Sequence, residues 1–71
     1  MLKVVKTRKI IRALQNLGFK QIRQRGDHTF WEHRDGRTTL IPLHPEIRAK
    51  LLTKIIKEDL KIKKAEFEKR M

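Results

Sequence analysis

The 71-residue sequence contains no cysteine, which excludes both a disulfide framework and a zinc site built on thiolates. Long apolar runs are missing too, since no stretch approaches the roughly 18 residues of a membrane span. The first residues, MLKVVK, are too few and too interrupted by lysine for a secretory signal peptide. We therefore expect a cytoplasmic protein with no membrane partner, whose small core is stabilised by packing alone or with help from a partner.

Several catalytic signatures are missing as well. The sequence has no glycine-rich phosphate-binding loop, no nucleophile elbow and no pair of carboxylates in a site-like setting. Two of its histidines, His28 and His33, are five residues apart, which on a strand places them on opposite faces and disfavours a shared metal. We expect no metal and no cofactor.

Positive charge is abundant. Nineteen Lys and Arg residues against eight Asp and Glu residues give a formal net charge of +11. Residues 1–34 carry nine of these cations and only two acids, so the excess is concentrated in the N-terminal half. This balance favours a polyanionic partner, with nucleic acid as the first candidate and simple solubility as the alternative.

The apolar spacing predicts one helix near the N-terminus. Ile10, Leu14 and Leu17 recur at helical intervals. Thr7 is the predicted N-cap and Gly18 the C-terminal stop, so this helix covers about 7–17.

Three strands and a second helix are predicted to follow. The strands cover 19–25, 28–34 and 37–43, with turns at Gly-Asp and Asp-Gly, and Pro42 indicates an edge strand or a strand end. Pro45 suits the first turn of the second helix, whose apolar stripe extends to about residue 60. The tail from Lys63 to Met71, with Phe67, is either a short docked helix or a frayed continuation. We expect an α+β two-layer sandwich in which both helices cover one face of an antiparallel sheet.

His28 is the candidate catalyst. Histidine is the side chain that exchanges a proton near neutral pH, and His28 follows a basic segment, RQRGD. Arg23, Arg25 and Lys20 would hold a phosphate and stabilise developing negative charge. His44 either lies near the substrate or caps the second helix. The alternative for His28 is an ordinary surface residue beside a turn.

The two faces of the middle strand differ. Alternation places His28 and Phe30 on one face and Trp31 and His33 on the other. Because Trp31 has the larger apolar body, we expect it in the core and His28 towards solvent. Phe30 would then be an exposed aromatic, able to stack a base or to pack on a partner protein. The alternative is a core Phe30 in a bulged strand.

These residues, in this order, resemble the HicA family of toxins, small mRNA interferases of type II toxin–antitoxin modules. The most specific part is the Arg-Gln-basic-Gly-x-His run followed some fourteen residues later by Pro-x-His. The resemblance covers nearly the whole chain, through the segments LGF at 17–19, RQRGDH at 23–28, Trp31 and His33, DGR at 35–37, IPLHP at 41–45, LKI at 60–62 and EF at 66–67.

The resemblance implies a double-stranded-RNA-binding-domain-like fold, α-β-β-β-α, in a single HicA-like domain over residues 1–71. It also implies an endoribonuclease with His28 as its catalytic histidine, a role in stress response, and a HicB-like antitoxin that covers the active face. DNA would be contacted only indirectly, through that antitoxin.

Several positions depart from the family pattern, among them Lys50 and Leu51 where Gly-Thr is common and Lys63 where serine or threonine is common. Asp27 stands where serine is usual, and an acid there favours the charged imidazolium of His28 while it also opposes phosphate. Lys61 stands where glycine is common.

Three functions fit the sequence. The first is a metal-independent endoribonuclease that acts on mRNA, with His28 as general acid or base and Lys20, Arg23, Arg25, Phe30 and His44 as RNA-binding residues. The second is a non-catalytic RNA-binding module, which would have no use for a titrating residue at position 28. The third is a partner-binding protein that works only within a complex, with an acidic surface as its expected complement.

Overall fold

A computed structural model describes residues 3–71. Its three-stranded antiparallel sheet has the order β2-β3-β4, and a separate two-stranded sheet pairs β1 with β5. In chain order the elements are β1 (Val4–Lys6), α1 (Thr7–Leu17), β2 (Phe19–Arg25), β3 (His28–His33), β4 (Thr38–Pro42), β5 (Glu46–Arg48), α2 (Ala49–Lys54), a π-helical segment (Ile55–Leu60) and α3 (Lys64–Glu68). The predicted α+β class, with helices packed on a three-stranded antiparallel sheet, is confirmed.

Helix α1 has the predicted bounds, but its N-terminal contact differs from the prediction. Ile10 and Leu14 are fully buried, and Gly18 ends the helix at φ 101°, in the left-handed region that favours glycine. The predicted N-cap role of Thr7 is wrong, because Lys6 stands at that position and Thr7 is the first helical residue. The Thr7 hydroxyl instead donates a hydrogen bond to the carbonyl of His44, a partner distant in sequence.

The core lies on the face of the sheet that carries Trp31. Trp31 is 3% exposed and Phe19 is 2% exposed, and both belong to one apolar cluster with residues of the helices. The indole Nε1 of Trp31 donates to the hydroxyl of buried Thr29 at 2.9 Å, and that hydroxyl donates to the carbonyl of Ile41 at 2.7 Å. The indole N–H therefore has the partner that a buried Trp requires. The expectation of a core Trp31 is confirmed.

The strand predictions were close, but the two-stranded sheet was missed. Strand β3 ends one residue earlier than predicted, at His33, and β4 ends at Pro42 on the edge of its sheet. The prediction of a second helix beginning near Pro45 is wrong, because β5 comes first. Ile47 is buried there and pairs with Val5 of β1. Each of these strands has only three residues, too few for alternation along the sequence to reveal it.

The second helix changes its winding before it ends. Regular α2 is followed by the π-helical segment, and Lys61 ends it at φ 58°. Phe67 of α3 is fully buried, so the first of the two alternatives for the tail, a short docked helix, is the correct one. Arg37 links the sheet to this layer, since its guanidinium donates to the carbonyl of Leu60 at 2.6 Å.

Candidate functional site

His28 begins strand β3 directly after a tight turn. The turn consists of Gly26, at φ 58°, and Asp27, and it joins β2 to β3 so that Arg25 is the register partner of His28. The His28 side chain is 54% exposed and lies on the sheet face away from Trp31. The expected solvent-facing position of His28 is confirmed.

A bulge in β2 brings the three candidate cations to the His28 face. Lys20 pairs with Glu32 and Arg23 pairs with Phe30, while the register shifts between Gln21 and Arg23. Without the extra residue, Ile22, positions 20 and 23 would lie on opposite faces, because side chains alternate along a strand. The bulge therefore puts Lys20 on the same face as both arginines, which the sequence pattern did not reveal.

Phe30 lies in the middle of this open face. It is half-buried, and the guanidinium carbon of Arg23 stands 4.5 Å from the centre of its ring. A cation over the face of an aromatic ring is attracted by the ring quadrupole. The alternative of a core Phe30 is excluded, and the bulge that it required lies in β2 rather than in β3.

Asp27 lies between two histidines. Its Oδ1 is 3.6 Å from the Nε2 of His28, and its Oδ2 is 3.3 Å from the Nε2 of His44. The His44 side chain is 62% exposed. The structure thus brings His44 next to His28, a position that fits the first of the two alternatives for this residue. The second alternative, a cap on the second helix, is wrong because β5 separates His44 from α2.

Backbone contacts hold the His44 loop against the turn that carries Asp27. The N–H of Leu43 donates to the carbonyl of Asp27 at 2.6 Å. On the other side of the loop, the N–H of Thr7 donates to the carbonyl of Pro45 at 3.1 Å. The Thr7 hydroxyl donates to the carbonyl of His44. The segment that presents His44 is therefore fixed to both the sheet and helix α1.

A shallow groove runs along the other side of His44. Lys6 and Arg8 supply two cations to its wall, and Ile11 and Pro45 supply apolar surface. The sequence analysis did not single out Lys6 or Arg8. The available signal was that Lys6 directly precedes the first predicted helix and Arg8 lies in its first turn, but nothing local connected that helix to His44.

The comparison with known protein families shows which family the chain belongs to. Residues 7–62 match the family model for the HicA toxin of bacterial toxin-antitoxin systems. The chain belongs to the HicA toxin family. A search of curated proteins finds no match. Membership makes this protein the toxin of a toxin–antitoxin system and implies an antitoxin as its partner.

The matched region of this HicA toxin contains every residue of the site described above except Lys6. It begins at the first residue of α1 and ends just after Lys61, so strand β1 and helix α3 lie outside it. Along residues 3–71, no helix has the length and apolar character needed to cross a bilayer.

His33 has a structural position at the other end of β3. Its Nε2 is 3.1 Å from the carbonyl oxygen of Leu17, and its Nδ1 accepts a bond from the N–H of Asp35. The backbone N–H of Arg37, followed by its guanidinium, holds the pKa of Asp35 below the ordinary value of an aspartate. These contacts of His33 agree with its expected role at a hairpin end.

Among residues 3–71, no three acidic, histidine or cysteine side chains gather as a metal site requires.

Proposed function

We propose that this HicA toxin is an endoribonuclease that cleaves mRNA without a metal ion, with His28 as a general acid or base. The observation that carries the proposal is an exposed histidine at a hairpin turn, on the same sheet face as Lys20, Arg23 and Arg25. A histidine able to transfer a proton and three cations able to bind phosphate thus share one open surface. The cytoplasm, where mRNA is translated, is the compartment in which this activity would arrest growth.

RNA needs little from such a site because it carries its own nucleophile. The 2′-hydroxyl attacks the adjacent phosphorus, and the 5′-oxygen of the next nucleotide leaves. His28 either takes the proton from that hydroxyl or gives one to the leaving oxygen. Positioning and charge stabilisation are the remaining tasks, and both suit a small rigid sheet.

The cations on the open face would bind the substrate. Because Arg25 is the register partner of His28, we assign it to the scissile phosphate. Arg23 already covers the Phe30 ring, and its guanidinium plane offers a second surface on which a base can stack. Lys20 lies further along the same face, where it would contact the backbone of a neighbouring nucleotide.

The antitoxin partner would neutralise the toxin by covering this surface. A basic face with a half-buried aromatic calls for an acidic, partly apolar complement. We propose a HicB-like antitoxin that occludes His28, and contact with DNA only through that antitoxin.

The test measures cleavage of an mRNA by the wild type and by His28→Ala, each with and without EDTA. We expect the wild type to cut RNA in EDTA but to leave unchanged a substrate with a 2′-deoxynucleotide at the cleavage position. His28→Ala should lose cleavage and growth arrest while it still binds the antitoxin. Lys57→Ala, an exposed change on the helical layer, is the matched control.

Two results would contradict the proposal. Full cleavage by His28→Ala, or loss of wild-type cleavage in EDTA, would reject this mechanism. RNA binding by the wild type without any cleavage would favour the second candidate, a non-catalytic RNA-binding module. The stacked Arg23–Phe30 pair suits that module equally well.

A further inference from the structure

We propose that His44 supplies the second proton transfer of the cleavage reaction and that Asp27 is a positioning residue for both histidines. This inference rests on the proposed ribonuclease function and names the partner that His28 needs. The juxtaposition that carries it is a single carboxylate facing two exposed imidazoles, one from the β2–β3 turn and one from the loop after β4.

Cleavage of RNA through its 2′-hydroxyl requires two proton transfers at opposite ends of the reacting group. One base accepts the proton of the 2′-hydroxyl as the new bond from oxygen to phosphorus forms. One acid donates a proton to the 5′-oxygen as its bond to phosphorus breaks. The products are a 2′,3′-cyclic phosphate and a 5′-hydroxyl, and the proton count balances without any other reactant. Two histidines in opposite protonation states supply both steps.

Asp27 faces both rings in the same way. Each of its two oxygens faces the Nε2 of a different histidine, at 3.6 Å for His28 and 3.3 Å for His44. The Nδ1 atom of each ring is therefore the one that would meet the substrate.

The position of His44 is built into the fold. Its loop is tied to the Asp27 backbone through Leu43 and to the start of α1 through Thr7, which supplies both its hydroxyl and its N–H. A loop held on two sides presents its side chain with the precision that proton transfer needs.

Other charged side chains surround the two histidines and would influence the pH dependence of cleavage. Arg25 is the register partner of His28, and Asp27 faces both histidines. The groove beside His44 adds Lys6, Arg8 and Glu46. The cations of this groove also extend the proposed path of the RNA past His44, so that the scissile phosphate would lie between two basic surfaces.

The experiment compares His28→Ala and His44→Ala in single-turnover cleavage at saturating RNA. Two substrates are used, one with the natural 5′-oxygen and one with sulfur in its place, because a thiolate leaves without being protonated. RNA affinity is measured separately with a 2′-deoxy-substituted, uncleavable RNA. The pH–rate profile is recorded for each variant, and Lys57→Ala is the control.

We expect His44→Ala to cut the natural substrate about 10²–10⁴-fold more slowly, with little change in RNA affinity and with one limb of the bell-shaped pH profile lost. One of the two histidine variants, and not the other, should recover its rate on the sulfur substrate, because only one histidine is the acid. Asp27→Asn should bind RNA more tightly, since it removes a negative charge, and yet cleave more slowly at saturation.

The outcomes separate this inference from the proposed function. If the wild type cleaves no RNA, the ribonuclease proposal itself fails. If His28→Ala is inactive but His44→Ala cleaves at the wild-type rate, or loses only affinity, the role of His44 is overturned and that of His28 stands. Recovery of both variants on the sulfur substrate, or of neither, also overturns the assignment. An Asp27→Asn variant with a raised saturating rate would overturn the positioning role of Asp27.

Discussion

Neighbouring residues of strand β3 lie on opposite faces of the sheet, because side chains alternate along a pleated strand. Trp31 lies in the core and bonds to Thr29, whereas Phe30 and His28 lie on the open face. The stability of the fold and the chemistry proposed for it therefore depend on different side chains of the same short strand. Variants of adjacent residues can separate the two.

Trp31→Ala is expected to lower the free energy of unfolding by roughly 3–5 kcal/mol, because it leaves a large cavity and removes the partner of Thr29. That is a large part of the stability of a small domain. His28→Ala should change the free energy of unfolding by only about half a kcal/mol or less, since its side chain is more than half exposed. Denaturant unfolding of both variants measures the contrast. A His28→Ala variant that unfolds while Trp31→Ala stays folded would contradict this account of the sheet.

The second helix ends at a lysine whose backbone has a left-handed conformation. Lys61 adopts φ 58°, in the left-handed region where a side chain clashes with its own backbone. The N–H of Ile62 reaches back to the carbonyl of Ile56 at 3.4 Å, so the position is part of the helix end. Glycine adopts this conformation without a clash, which is a physical reason for glycine to be common at this position in the family.

Lys61→Gly should therefore raise the free energy of unfolding, by up to about 1 kcal/mol. The gain is limited because glycine relieves the steric cost in the folded state but also gives the unfolded chain more freedom. Lys54→Gly is the matched control, because Lys54 is exposed and has φ −63° in regular helix, where glycine costs stability. Thermal melts of the two variants should move in opposite directions. A Lys61→Gly variant less stable than Lys54→Gly would show that the helix end relaxes in solution.

At the scale of the whole molecule, charge and shape act together. The net charge of +11 is large for 71 residues, and the bulge in β2 gathers three of the cations on the face that carries His28. Lys6 and Arg8 add two further cations in the groove beside His44. RNA affinity should consequently depend strongly on salt, since each neutralised phosphate releases counterions.

The slope of log affinity against log salt concentration should fall by about 0.7 for each phosphate of a single strand that a variant no longer neutralises. We expect Arg23→Ala and Arg25→Ala each to reduce this slope, and Arg23→Ala also to weaken stacking on Phe30. Lys57→Ala and Lys69→Ala on the helical layer should leave the slope unchanged. Titration of a 2′-deoxy-substituted RNA at several salt concentrations provides the measurement. Equal slopes for all four variants would mean that the sheet face does not bind the phosphates.

The sequence by itself determined the parts of this protein that depend on local spacing and turn chemistry. Apolar periodicity predicted the bounds of α1 and the glycine that ends it. Turn residues close in sequence to the strands predicted the meander of three strands. The outward His28 and the inward Trp31 followed from alternation along one strand, combined with the size of the indole. The family resemblance used the same local motifs, and the match over residues 7–62 bears it out.

Only the tertiary structure decided the features that depend on contacts between distant segments. The β1–β5 pairing, the bulge at Ile22, and the approach of His44 to Asp27 each join residues whose local sequences give no sign of the other. Hydrogen bonds and ion pairs of this kind form wherever packing brings two polar groups together, and packing is a property of the whole chain. The candidate site is therefore half local, with His28 and Arg25 beside one turn, and half tertiary, with His44 brought to that turn by the fold.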